Sequence, residues 1–362
     1  MNRTETELLK KLSFAFGPSG CEDKVAEIIK EEITPYADEI TEDRSGTLIA
    51  KYAAKSERKP YDADDEPEFT PDCPDCTTLL LTAHMDEGGF MVKGIDDDGF
   101  IKVKALGVRN PMFIAGRNVT VGNEERETIG YFGAKAVHLG GVGDFDSMFI
   151  DIGAKDKEEA EKYAERGDFA VFRSDFVEYG ENGTRIKGKA LNSRIGCYVL
   201  ITVLRNLAEN KTALPYDVYF AFTRGGEIGI CGEKTAAKLT SPDLSITVCA
   251  VETNDTAGDG MKCAAKIGEG PALSYADRST VYDRELTSYI MSEAEKHSIK
   301  YQIKKSTQGQ TGAAGVQRSM SGVKSAAVSV PARYLSTSAN TADTRDIDET
   351  ISLILASLTD IR

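Results

Sequence analysis

His84 and Asp86, two residues apart, are the first pair in this chain whose types and spacing could do chemistry. A carboxylate beside an imidazole fixes its tautomer and raises its basicity, which suits a metal ligand or an acid–base group. The plainer alternative is a surface turn that holds a histidine. Three further apolar runs end in residues that could join the pair. Asp217–Thr223 runs into Arg224-Gly225-Gly226-Glu227, Ile246–Val251 into Glu252-Thr253-Asn254-Asp255, and Ala326–Pro331 into Ala332-Arg333-Tyr334-Leu335-Ser336. In open α/β sheets, ligands bind just past the carboxyl ends of the strands. If these strands are neighbours, His84 with Asp86, Glu227, Glu252 and Ser336 converge on one crevice. Imidazole and carboxylates gathered in this way hold divalent metals. One carboxylate at a strand end is a weak signal, because capping residues look the same.

Other chemistries find less support. Cys73-Pro74-Asp75-Cys76 is half a zinc site or a redox pair, and no second pair or nearby histidine completes it, so two loop thiols is the favoured reading. The chain has three histidines, and His138 and His297 are far from the other candidates in sequence. Gly140-Gly141-Val142-Gly143-Asp144 is glycine-rich but no helix start follows it, which argues against nucleotide binding.

The elements that must position these residues follow from periodicity. The run Thr78–His84 reads as a buried strand. Two helices precede it, the second over about 22–36, with a strand at 47–52. Between them and the 78–84 strand, residues 55–77 interleave acids with four prolines as an exposed loop. From Phe90 the period changes to two. Hairpins over 90–104 and 118–132 and further pairing at 169–179 predict a small β-barrel or sandwich, interrupted by one helix over Lys157–Arg166. Helices over 195–207, 285–297 and 348–358 complete an α/β layer. The expected fold is α/β, a mixed sheet flanked by helices and carrying an inserted β-barrel or sandwich. Residues 1–90 and 189–362 make the α/β domain and residues 91–188 the insert.

A length of 362 residues suits two domains or one core with an insertion. The net charge of −14 argues against nucleic acid or an anionic membrane as partner. No apolar stretch has the length of a membrane span, and seven scattered cysteines do not form a disulfide framework. The expectation is a cytoplasmic protein.

Ala83-His84-Met85-Asp86-Glu87-Gly88-Gly89-Phe90-Met91-Val92 resembles the first ligand motif of the tetrahedral and glutamyl aminopeptidases. Phe149–Ala154, Gly188–Cys197, Tyr301-Gln302 and Pro331–Tyr334 are similar to later stretches of that family, in order, over nearly the whole chain. The resemblance implies an aminopeptidase-like α/β fold and a dinuclear zinc or cobalt centre, whose bridged water attacks the amino-terminal peptide bond with a glutamate as base. It also implies an insert that mediates assembly, hence a homo-oligomer, and a peptide or amino-acid ligand.

Position by position, His84 is the first ligand and Asp86 its orienting carboxylate. The bridging aspartate is Asn192. The glutamate pair reads Gly226 and Glu227, so the base is missing and the ligand kept. Glu252 aligns with the next ligand, with Asp255 or Asp259 as substitutes, and Ser336 stands where the last histidine is expected. A Gly-Thr-Asp-Ala motif has become Gln310-Thr311-Gly312-Ala313. The leading expectation is a peptidase scaffold with lost or strongly reduced activity, whose Asp86, Glu227 and Glu252 form an acidic pocket for a free amino terminus. The alternatives are a hydrolase with one metal at His84, Asn192 and Glu252, or a structural subunit of a shell.

Overall fold

The computed structural model describes residues 3–359 and 361, except 57–76, 109, 124, 137, 139, 142, 144, 230, 257–263 and 336. Cys73, Cys76, Asp259 and Ser336 therefore lie outside the described residues.

Helices α1 (Arg3–Phe14) and α2 (Asp23–Ile33) open the chain, and Val25, Ile29 and Ile33 bury one face of α2. Strands β1 (Glu39–Glu42), β2 (Leu48–Tyr52) and β3 (Thr78–His84) follow. The chain then builds a closed barrel from β4 (Gly89–Ile95), β5 (Ile101–Leu106), β6 (Asn118–Gly122), β7 (Glu127–Gly133), β8 (Phe149–Asp151) and β9 (Phe169–Phe172). Strand β9 pairs with both β4 and β6, and closure leaves no open edge. Alternate residues fill the interior, where Phe90 meets Phe132 and Phe172 with ring centroids 4.6 and 5.7 Å away.

The helix expected over Lys157–Arg166 is shorter. Helix α3 spans Lys157–Ala160, capped by the Asp156 carboxylate on the Glu159 N–H. Gly167 and Asp168 exchange main-chain hydrogen bonds with Val92, and this pulls the chain out of the helix. Strands β10 (Val177–Tyr179) and β11 (Arg185–Gly188) come next and pair with each other, but they belong to the larger sheet.

That sheet is completed after helix α4 (Leu191–Glu209) by β12 (Asp217–Thr223), helices α5 (Gly226–Gly229) and α6 (Cys231–Thr240), β13 (Leu244–Glu252) and β14 (Ala272–Leu273). Helix α7 (Arg284–Lys296), β15 (Gln302–Ile303), α8 (Ala313–Gln317), β16 (Lys324–Arg333), β17 (Asn340–Asp343) and α9 (Thr344–Thr359) end the chain. The strand order is β1-β2-β12-β3-β13-β16-β17-β11-β10, with β14 and β15 beside β16. Strands β12, β3, β13 and β16 are consecutive and parallel, so their carboxyl ends share one edge.

Leu79, Leu81 and Ala83 of β3 join the core under α4 and α9, whereas Leu80 joins Ala236 and Ala237 of α6 and Val316 of α8 on the opposite face. Both faces of the sheet are thus covered, as the unbroken apolar run of β3 requires. Among the described residues no helix is long and apolar enough to cross a membrane.

Candidate active site

His84 is the last residue of β3, and its register partner on β12 is Thr223. Glu252 ends β13 opposite Ala332 of β16. A cavity of about 460 Å³ opens past these ends, lined by His84, Asn192, Gly226, Glu227 and Glu252, and by Gly107, Val108 and Phe172 of the barrel. The site therefore lies between the barrel and the larger sheet.

His84 Nδ1 stands 3.1 Å from Asp86 Oδ1. Asp86 is fully buried and does not line the cavity, contrary to the expectation that it faces a ligand. Its oxygens also accept from Ser19 Oγ at 2.5 Å and from the main-chain N–H groups of Gly226 and Glu227, each at 2.8 Å. Burial opposes its charge, but the His84 hydrogen bond and charge, with Ser19 and the Glu227 amide, hold the carboxyl below the usual carboxylate range. For His84, burial pulls the pKa down, while Asp86 and the charges of Glu227 and Glu233 push it up to about 9. The pair is an imidazolium held on a carboxylate.

Asn192 lies in the first turn of α4, just after Ala190, which has a left-handed backbone at φ 58°. Its Nδ2 donates to Glu227 Oε1 at 2.7 Å. The Glu227 side chain also packs on Gly107, where an added Cβ would lie 2.8 Å from Glu227 Cβ. Gly226 is pressed onto the histidine: a Cβ there would lie 2.6 Å from His84 Cβ. Both Glu252 oxygens accept main-chain N–H groups, from Tyr334 and Leu335, at 2.8 Å each.

Asp255 does not stand in for a ligand. Its two oxygens take the Arg333 guanidinium at 2.7 and 2.9 Å, away from the cavity lining. His138 is exposed on the barrel segment, and His297 caps α7 with Nε2 3.5 Å from Glu293. Gln310, Thr311 and Gly312 do line the cavity.

Among the cavity residues that the sequence reading missed, two carry charge and bear on the chemistry. Glu233 of α6 is 2% exposed, and its Oε1 accepts from Thr223 Oγ1 at 2.9 Å. A Cβ on Gly312 would lie 2.5 Å from that same oxygen, so Glu233 fills the space over this glycine. The signal was available: Glu233, Ala236, Ala237 and Thr240 form one buried helical stripe, and a carboxylate in such a stripe needs a reason. The second is Lys304, one residue past β15. A two-residue strand gives no periodicity by which to find it.

Among the described residues no group of three His, Cys, Asp or Glu side chains could hold a metal ion. The donor chemistry agrees. The Asn192 amide, which is neutral, donates into the Glu227 carboxylate, and Gly226 beside it carries no side chain. The described residues do not fit a dinuclear divalent centre.

A mixed sheet with four parallel central strands, helices on both faces and an inserted closed barrel defines an aminopeptidase-like scaffold. The chain belongs to the M42 glutamyl aminopeptidase family, whose signature matches residues 73–353. It is 32% identical over 352 residues to a protein of Acetivibrio thermocellus that carries an aminopeptidase name, covering 97% of this chain and 98% of that one. It is 29% identical over 370 residues to a lysyl aminopeptidase of Pyrococcus furiosus, covering 98% and 97%. Among solved structures, the TET1 peptidase of Pyrococcus horikoshii, which can assemble into a tetrahedron or a large octahedral shell, superimposes with a TM-score of 0.82 at 31% identity, over 98% of this chain and 99% of that one.

Proposed function

We propose that this chain is an M42-type protein that receives the free amino terminus of a peptide or amino acid and has lost, or strongly reduced, dinuclear metal-dependent hydrolysis. The observation that carries the reading is the Asn192–Glu227 hydrogen bond of 2.7 Å. Two positions that the family resemblance makes metal ligands satisfy each other instead. Family membership implies divalent metal use, and when present such an ion supplies Lewis-acid activation of water. The residues here are better arranged to hold an ammonium group against Glu227 and Glu252, whose carboxylates line the cavity. Asp86 acts from behind by fixing His84.

The test is metal stoichiometry after incubation with zinc or cobalt, alongside hydrolysis of aminoacyl p-nitroanilides, on the wild type and His84→Ala. The expected result is less than one metal per chain and hydrolysis at the level of the blank. Two His84-dependent metals with chelator-sensitive turnover would overturn the reading. Glu227→Ala is expected to weaken binding of amino-terminal ligands, and an unchanged affinity would count against the amine pocket.

The barrel insert is the proposed assembly module. It exposes Met112, Ile129 and Tyr131 at 74, 46 and 53%, and the similar TET1 peptidase assembles into shells. Sedimentation is expected to find a homo-oligomer, and a stable monomer would reject this part. A cytoplasmic location is proposed on the buried thiols of Cys197 and Cys249, neither of which is in a disulfide.

A further inference from the structure

Glu233 stands in the first turn of α6, where an acid at a protein surface would only complement the helix N-terminus. Here it is 2% exposed and lines the cavity. One hydrogen bond and one strand register fix its place. Thr223 Oγ1 donates to Glu233 Oε1 at 2.9 Å, and Thr223 is level with His84 on the neighbouring parallel strand. Adjacent strands are about 5 Å apart, so the carboxylate that Thr223 holds sits beside the histidine. Its charge joins that of Glu227 in acting on His84. Gly312 makes room for it: a Cβ there would fall 2.5 Å from Oε1 and 2.8 Å from Cδ.

The other acids of the site are already supplied with donors. Both Asp86 oxygens and both Glu252 oxygens take hydrogen bonds from the protein, and Glu227 Oε1 takes one from Asn192. Glu233 Oε2 is different. Among the described residues that line the cavity, it is the one buried side-chain oxygen or nitrogen with no hydrogen-bond partner. Burial pushes the carboxyl up, and neither the His84 charge nor the Thr223 hydrogen bond offsets that. An underpaired buried acid destabilises the fold that carries it.

An ammonium has three N–H donors and suits a carboxylate oxygen that lacks one. We propose that Glu233 is a binding residue of this cavity, its Oε2 accepting a hydrogen from the ammonium of the ligand. This contact rests on the amine-pocket reading and adds α6 to the strand ends that form the pocket. It also accounts for a glutamate placed against the interest of stability. The buried charge is kept for the ligand, which neutralises it on binding.

The probes are leucine amide and isocaproamide, the same molecule without its amino group, each titrated calorimetrically into the full chain. Glu233→Gln keeps the shape of the side chain and removes its charge. It is expected to weaken leucine amide roughly ten- to hundredfold, as for one hydrogen bond to a charged group, and to leave isocaproamide unchanged. It is also expected to raise the urea midpoint, because an underpaired buried charge has gone. A glutamate with a structural role alone would lower that midpoint. A lower midpoint, a variant that does not fold, or an unchanged affinity for leucine amide overturns this proposal alone. A wild type that does not prefer leucine amide to isocaproamide overturns the amine pocket with it.

Discussion

A side chain at position 226 has no room. Its Cβ would lie 2.6 Å from His84 Cβ and 2.9 Å from Nδ1, the atom that holds Asp86. Gly226→Glu, which introduces the glutamate that the family resemblance implies at this position, is therefore expected to fail. Overpacking of this kind costs about 1–3 kcal/mol. Urea unfolding should show that loss, and aminoacyl hydrolysis should not rise; a clear gain in turnover would show that the glycine was the sole defect.

The His84–Asp86 pair also sets a pH dependence. A histidine whose folded pKa is raised from 6.5 to about 9 contributes stability that is complete below pH 6.5 and lost as pH rises through 9. Glu22, raised to about 7 by burial and the charge of Asp86, acts in the same direction at lower pH. Between 4.5 and 7 the folded state keeps a proton that the unfolded state has released. Denaturant midpoints are expected to fall from pH 6 to 9, and Asp86→Asn should flatten the upper part of that slope. A midpoint that rises over this range would contradict the charge assignment.

Among the elements, α4 is the one that fixes the site. Arg194 is fully buried and donates to the Met85 oxygen just past β3, with Nη2 3.5 Å from Glu87 and from the Gly17 oxygen. One guanidinium thus ties α4 to the loop that carries Asp86 and to the turn after α1. Arg194→Ala leaves Glu87 with Lys189 alone and is expected to cost about 3–5 kcal/mol in urea unfolding. A loss under 1 kcal/mol would show that the loops hold without it.

The same scale shows what the sequence could say. Strands β3, β12, β13 and β16 were legible as apolar runs, and their polar ends gave His84, Glu227 and Glu252 as members of one edge. The early end of α3 was not legible, because a main-chain bond to Val92 from Gly167 decides it. Nor was the sheet to which β10 and β11 belong, since β17, remote in sequence, captures them. Asp86 was legible as the carboxylate that orients His84, which it contacts at 3.1 Å, but the further expectation that it also faces a ligand fails because it is buried behind the cavity lining. Glu233 and Lys304 come from elements too short, or too plain in pattern, to announce a site.

At the scale of the whole molecule, the cavity exists only because the barrel is folded back against the strand ends. The barrel has its own core, distinct from the core of the larger sheet, and reaches the site through the loop after β5. Gly107 is the contact. Its φ of +78° is one that L side chains rarely adopt, and a Cβ there would meet Glu227 Cβ and Oε2, each at 2.8 Å. Gly107→Ala is thus a wedge driven between the two units at the ligand's position. It is expected to cost about 1–3 kcal/mol in stability, and to weaken amino-terminal ligands as strongly as Glu227→Ala, because it displaces the same carboxylate. Gly94→Ala, at a barrel position with nothing within 4 Å of the added carbon, is the control and should leave binding unchanged. If Gly107→Ala binds like the wild type, Glu227 reaches the ligand without support from the barrel. The insert would then take no part in recognition.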